Sequence, residues 1–450
     1  MRRDANRAPE PHNRIQVKTV LQLFKIPEAR RQITTTLWVL IAYRVGFHIP
    51  IPGMDPQFLI EQSRGVSTVF GLLSAFSGSQ LGQTVLFALG IMPYISASII
   101  FSVLAKVSPQ LEAIQKEGAA GQKKINQWTR LTVVPISLLQ ALMIWFGFFK
   151  GSGLILEGTN EFVAMMAVVF GLMGGAMFVM WLGELITEYG IGNGASLIIM
   201  ANIISTIPSS IGSVLAQQDE AYNTLLTLVG IWVAIVLVIV FIQKGERRIP
   251  IQYARLTRGR RVYGGQRHYL PLKINMAGVM PIIFASALFI VPGALFTFLG
   301  LDSLQAIFSD TDGFVYITLY LVLVFGFCFF WNNLMFRPDE IADNLREHGS
   351  FIPGIRPGAK TAAYLKDVLQ RITLAGAAFL AVIAVIPNFI TGNIPGLQGR
   401  LAYFLGGTSV LIVVGVAMDM VDRLNAQLVT RNYEGFTKGT TGSGAGWAKQ

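Results

Sequence analysis

The sequence is poor in charge. Only 14% of its 450 residues are Asp, Glu, Lys or Arg, whereas 52% are hydrophobic, and the mean hydropathy is +0.54. A soluble globular domain carries about 25% charged residues, so a soluble fold is excluded and an integral membrane protein is implied. The single Cys excludes a disulfide framework, a Cys-based zinc site and an iron–sulfur site. Four scattered His (His12, His48, His268, His348) give no histidine metal cluster. The chain has no G-x-x-x-x-G-K-S/T phosphate loop, so it encodes no energy source of that kind. It also lacks a Ser–His or Asp–Asp pair, which argues against an enzyme. No cofactor is expected.

Long charge-free stretches take the place of charge. They run over residues 65–105, 131–149, 162–183, 189–218, 221–243, 274–301, 313–336, 372–399 and 401–418. One more lies near 33–50, with Arg44 close to its outer end, where a long side chain can snorkel. A helix needs roughly 20 apolar residues to cross about 30 Å of hydrocarbon. Lipid offers backbone groups no partner but each other, so helices are expected. Within 65–105, residues 85–105 (VLFALGIMPYISASIIFSVLA) are expected to form a full span. Residues 66–80 (VSTVFGLLSAFSGSQ) would make a helix of only about 22 Å and are rich in Ser, so they are not expected to cross.

Charge parity fixes the direction. With ten spans, one side receives residues 1–32, 106–130, 187–193, 244–273, 337–371 and 423–450, which hold 32 of the 36 Lys and Arg. The opposite loops hold Arg64, Lys150 and Arg400 against nine acids. Counting 66–80 as a span would put the basic segments around it on opposite sides. The positive-inside rule therefore selects ten helices with both termini in the cytoplasm, and the net charge of +11 is first of all this topology signal. No cleavable signal peptide is evident.

Ten spans divide into two halves of five, which an odd count per half turns upside down relative to each other. The expected divisions are a cytoplasmic segment 1–32, a first half 33–216 with the short segment 66–80, a second half 217–425, and a tail 426–450. The end of that tail, GTTGSGAGWAKQ, is low in complexity and expected to be disordered. The second half carries two basic loops, 244–273 and 337–371. The first alternates apolar and polar around IPIQYARL and RRVYGG, which predicts a projecting β-hairpin. The second holds FIPGIRPGAKT, whose X-Pro turns present Arg356 at a tip. Such loops set topology beside anionic lipid; Pro- and Gly-punctuated order also suits a docked partner with an acidic or phosphate surface, such as a ribosome or a motor protein.

The span cores have essentially no Asp, Glu or His, which ion-coupled transporters carry. Glu184 and Asp419 fall at cytoplasmic helix ends. What the spans do carry is helix breakers, with Pro93 in the second, Pro281 and Pro292 in the seventh and GIGNGASLII opening the fifth. Kinked, Gly-rich helices meeting at aliphatic side chains either pack as an ordinary bundle or form a constriction that bars ions by dewetting.

FALGIMPYISASII (87–100), MWLGELITEYGIGNGASLII (180–199), LPLKINMAGVMPIIFAS (270–286), FIPGIRPG (351–358) and FLGGTSVLIVV (404–414) together resemble the SecY family, the channel subunits of the Sec protein translocon. The resemblance runs from about residue 20 to residue 435. It implies an all-α polytopic membrane protein of ten transmembrane helices, a clam-shell of two inverted five-helix halves around an hourglass pore. It implies a passive protein-conducting channel of the bacterial inner membrane, which passes unfolded secretory proteins and releases membrane helices sideways into lipid. A secondary transporter of a small solute is the alternative.

Carried over motif by motif, the family's aliphatic pore ring falls at Ile91, Ile95, Ala195, Ile199, Ile283 and Ile412. Ala195 departs from the bulkier residue usual there, which loosens the ring or moves the contact to Leu197 or Ile198. The lateral gate, between the second and seventh spans, falls at Ser96, Ile99, Ile100 and Val291. Segment 66–80 corresponds to the plug, with Phe70, Leu72, Leu73 and Phe76 facing the ring. The tips bearing Arg247, Arg248, Arg260, Arg261 and Arg356 resemble the family's docking surface. The implied partners are SecE-like and SecG-like small membrane subunits, a SecA ATPase motor, the ribosome, signal sequences and nascent chains, and anionic lipid, with no nucleic acid as substrate.

Overall fold

A computed structural model describes residues 27–51, 85–149, 160–217, 221–253, 256–258, 261–263, 267–275, 313–393 and 407–441, together with 278, 280–282, 284–285, 288 and 296. Helix α1 (Pro27–Gly46) opens on a proline, has Glu28 in its first turn and Arg44 in its last, an arrangement that suits the helix dipole. The Arg44 guanidinium lies 5.4 Å over the ring of Phe47. Ala29, Thr36, Val39, Tyr43 and Gly46 form the buried stripe.

The second span departs from expectation. Residues 85–91 are not helical. They form turns in which Leu86 N–H bonds the carbonyl of Ile49 at 3.0 Å and Gly90 N–H that of Phe87 at 2.8 Å, with Gly90 at φ 52. Helix α2 (Met92–Val107) begins only there and is 16 residues long. Pro93 sits in its first turn, where its missing N–H costs nothing, so it starts the helix rather than kinking it. An unbroken apolar run gives no sign of this start; the proline does.

Ser108 is extended ahead of Pro109, as a residue before proline prefers. The chain bends by 97° into α3 (Pro109–Lys116). Helix α4 (Ala119–Ile144) follows and ends in a π turn over Trp145–Phe149. Helix α5 (Glu161–Tyr189) is capped by Asn160, whose side-chain oxygen accepts from Phe162 N–H at 3.1 Å. Then come α6 (Gly194–Gln217) and α7 (Ala221–Gln243).

The loop 244–273 contains strands β1 (Glu246–Tyr253), β2 (Leu256–Arg258), β3 (Arg261–Tyr263) and β4 (Arg267–Lys273). β1 and β4 pair antiparallel from Glu246↔Lys273 to Gln252↔Arg267, and β2 pairs β3 at the tip. Beyond lie α8 (Phe314–Met335), α9 (Pro338–Glu347), β5 (Ser350–Phe351), α10 (Ala359–Asn393) and α11 (Gly407–Thr441). α11 therefore stays helical well past residue 425, into the stretch expected as a tail. β5 adds to β1 through Gln252↔Phe351 and Tyr253↔Ser350, making a sheet of order β4-β1-β5.

Four helices among the described residues are long and apolar enough to cross a membrane, and a fifth is if the bent α2–α3 pair counts. The other expected spans fall on helices with polar turns, such as Gln122–Arg130 in α4, or include residues outside those described.

The core divides in two. One cluster joins α1, α2, α4, α5 and α6, and Ile412 enters it from α11. The other joins α7, α8, α10 and α11 with Ile282 and Ala285. α11 packs on α6, α7 and α10, so it belongs to both. A third cluster, of Ile249, Leu272, Ile352, Leu365, Val368, Leu369 and Ile372, seats the sheet on α10.

Candidate functional site

Ile91 stands at the N-cap position of α2, on the last of the turns, and is 1% exposed. Ile95 follows one helical turn later, its N–H bonding the carbonyl of Ile91 at 3.1 Å, so both side chains share a face.

α6 begins where it does for local reasons. Gly194 N–H donates to the hydroxyl of Thr187 at 2.9 Å, and the Asn193 side chain accepts from Ser196 N–H at 3.3 Å. A Cβ on Gly194 would fall into the Gly183 carbonyl, so only glycine lets the start of α6 cross α5 this closely. A Cβ on Gly183 would lie 3.4 Å from both Ile91 Cδ1 and Ile198 Cδ1. Ile91 at the start of α2 and Ile198 of α6 thus both reach Gly183 of α5.

The apolar centre follows from that crossing. Ile91, Ile95, Ile199 and Ile412 are buried in one cluster, with half-buried Ala195 packed against it. Leu197 and Ile198 are buried in the same cluster, so bulk lies beside the small Ala195. Ile412 is the member contributed from the other half of the chain. Ile283 lies outside the described residues. Among the described residues no Asp, Glu, Lys, Arg or His side chain is buried, and none form a group able to hold a metal ion.

The far part of α2 faces a different partner. Ile99 and Val103, together with Phe327 of α8, pack against Phe284 and Trp331. The rings of Phe284 and Trp331 are 5.1 Å apart and those of Phe284 and Phe327 5.6 Å. This seam joins the first half to the segment around residue 284 and to α8. Ser96 is half-buried and Ile100 is 42% exposed, while Val291 lies outside the described residues. Phe284, Phe327 and Trp331 were not singled out from the sequence. Phe284 follows the PII of the motif directly, and that adjacency is the one signal for it.

At the basic end, Glu112 of α3 meets Arg337, which lies between α8 and α9, with Arg337 Nη2 2.9 Å from Glu112 Oε1. No sequence pattern links two residues so far apart. Arg130 of α4 pairs with Glu184 of α5, which gives that carboxylate a cation at its helix end.

Arg247 and Arg248 are exposed on β1, the latter with Nε 2.6 Å from Glu246 Oε1. Arg356 is exposed in the turn between β5 and α10. That turn uses Gly354 at φ 85 and Gly358 at φ 98, and the Arg356 carbonyl accepts from the Thr361 hydroxyl at 2.9 Å. The β1–β5 pairing gathers these arginines on one body. Arg261 lies on β3, and Arg260 falls outside the described residues, as do Phe70, Leu72, Leu73 and Phe76.

A family model described as SecY matches residues 85–421. The chain is similar to the protein translocase subunit SecY of Streptomyces scabiei, 42% identical over 433 residues, covering 92% of this chain and 98% of that one. Its fold is similar to that of a solved structure described as a protein conducting channel, with a TM-score of 0.61, 20% identity and coverage of 91% and 97% of the two chains. It is also similar in fold to the channel of a canine ribosome–channel complex from the endoplasmic reticulum, with a TM-score of 0.58, 19% identity and the same coverage.

Proposed function

The chain belongs to the SecY family, and from that premise we propose that it is the central pore subunit of a Sec translocon, a passive conduit for unfolded polypeptides. The observation that carries the mechanism is the uncharged cluster of Ile91, Ile95, Ala195, Ile199 and Ile412, built from both halves of the chain. A translocating chain is variable in sequence, so its conduit cannot depend on fixed hydrogen bonds. An aliphatic collar, with Ile283 as its sixth member, fits any chain loosely and bars ions by dewetting. The segment 66–80 acts as its plug.

The seam of Ile99, Val103 and Phe327 against Phe284 and Trp331 serves as the side exit, and Ser96, Ile100 and Val291 are the further residues assigned to it by the resemblance. A signal sequence or nascent membrane helix gains about 25 cal/mol for each Å² of apolar surface removed from water, and a side exit makes that gain available. The motor or ribosome docks on the arginines of the sheet and the Arg356 turn, whose exposed positive charge suits an acidic or phosphate surface; that a fold neighbour belongs to a ribosome–channel complex is in keeping with a ribosome as partner. SecE-like and SecG-like subunits complete the complex, a SecA-type ATPase supplies drive, and anionic lipid faces the basic end. The asymmetry of Lys and Arg supports both termini on the cytoplasmic side of the bacterial inner (plasma) membrane. A small-solute transporter gains no support, since the relatives are translocase subunits.

The test is conductance. Ile95→Ser together with Ile412→Ser, in the reconstituted complex in planar bilayers, should raise resting ion current at least tenfold. Current equal to that of the unaltered channel would sink the collar.

A further inference from the structure

The seam between the two halves is apolar where Ile99 and Val103 meet Phe284 and Trp331. At the basic end it terminates differently. The Ser108–Pro109 break turns α3 through 97° away from α2, so α3 reaches from the first half toward the end of α8. There Glu112 Oε1 lies 2.9 Å from Arg337 Nη2. The pair is the centre of a short chain of charges. Lys116 Nζ is 3.3 Å from the same Glu112 oxygen, and Arg337 Nη1 is 2.6 Å from Glu340 Oε1.

Exposure separates the centre from its flanks. The Glu112 and Arg337 side chains are each 30% exposed, against 63% for Lys116 and 57% for Glu340. Arg337, and behind it Lys116, hold the Glu112 carboxyl below the usual carboxylate range. The Glu112 carboxylate therefore stays ionised through mild acidification, and the ion pair is lost only as pH falls through that depressed value and Glu112 takes up a proton. Among the described residues, the ion pairs Arg130–Glu184 and Lys273–Asp422, also between elements, each stay inside one half of the chain. Glu112–Arg337 spans the two halves at the mouth of the seam.

A seam of this build opens only when something outweighs both of its parts. An intercalating segment replaces the apolar contacts with its own, and its gain grows with its apolar surface. It offers nothing in exchange for a separated ion pair. We propose that Glu112 and Arg337 are specificity-determining residues, whose ion pair sets how apolar a targeting segment must be before the seam parts. The proposal rests on the seam being the side exit.

The experiment uses the reconstituted complex in proteoliposomes and a set of secretory precursors whose targeting segments are weakened stepwise by Leu→Ala changes. The readout is the ratio of weakest to strongest precursor passed. Glu112→Gln and Arg337→Gln should each raise that ratio about two- to fivefold, the range of a partly exposed ion pair. The exchange Glu112→Arg with Arg337→Glu should bring it back toward the original value. An unchanged ratio in both single variants, or an exchange as permissive as they are, overturns the proposal. A disulfide between cysteines placed at Ile99 and Phe284 is the control. If it stops passage while the ratio is unmoved, only the ion-pair proposal fails. If precursors pass through the crosslinked seam, the side exit itself is refuted, and the proposal with it.

Discussion

At the scale of single residues, the apolar interior holds few polar groups, and Tyr43 shows how one of them is satisfied. Tyr43 is 1% exposed and donates its hydroxyl hydrogen to Asn202 Oδ1 at 2.7 Å, joining α1 to α6. Its ring is edge-on to Phe47 at 5.0 Å and stacked with Phe87 at 6.0 Å, so it cannot swing away to find another acceptor. Asn202→Leu leaves that hydroxyl unpaired. A cost of about 1–3 kcal/mol is expected, read as a lower unfolding midpoint of the purified complex. Tyr43→Phe in the same background should recover most of the loss, because it removes the orphaned group. Recovery of nothing would show that packing of the Asn202 site, rather than the hydrogen bond, carries the effect.

At the scale of elements, the close approaches are made by glycine. Gly194 abuts Gly183, and Gly175 abuts the Leu86 carbonyl, in both cases backbone against backbone. Neither neighbour can rotate away as a side chain would. Gly194→Ala should push α6 off α5 and cost about 1–3 kcal/mol by overpacking, measured again by thermal unfolding of the complex; an unchanged midpoint would mean the crossing relaxes freely.

Elements were unevenly legible in the sequence. The β-hairpin could be seen in the alternation of IPIQYARL, since a strand's two faces meet different surroundings; Ile249 and Ile251 are buried on either side of the exposed Pro250. The aliphatic residues that meet at Gly183 stand in long motifs and were identifiable from them. The start of α2 had Pro93 as its one sign, because VLFALGIM is apolar whether helical or turned, and a proline reads equally as a kink inside a longer helix. The aromatic side of the seam and the Glu112–Arg337 pair were also hidden. Both are contacts between distant segments, and no local period encodes them.

At the scale of the whole molecule, the sheet, α9 and the start of α10 form one body with its own core, attached to the second half of the chain. Arg356 lies on its exposed turn. Arg356→Glu should reduce motor-driven secretion of a reporter at least tenfold while leaving the resting ion conductance of the channel unchanged; secretion at the original rate would remove the docking role. The body also has a stiff mechanical link. β4 ends at Lys273, and the next residue, Ile274, is pinned by its N–H to the Gly245 carbonyl at 2.9 Å. Its own carbonyl presses on Gly376 of α10, where a Cβ would come within 2.6 Å of it. A few residues later the chain reaches the helical turn at Met280, on the way to Phe284. A weight leaning on the hairpin therefore bears on α10 through Ile274, which stands ten residues ahead of Phe284 at the aromatic edge of the seam.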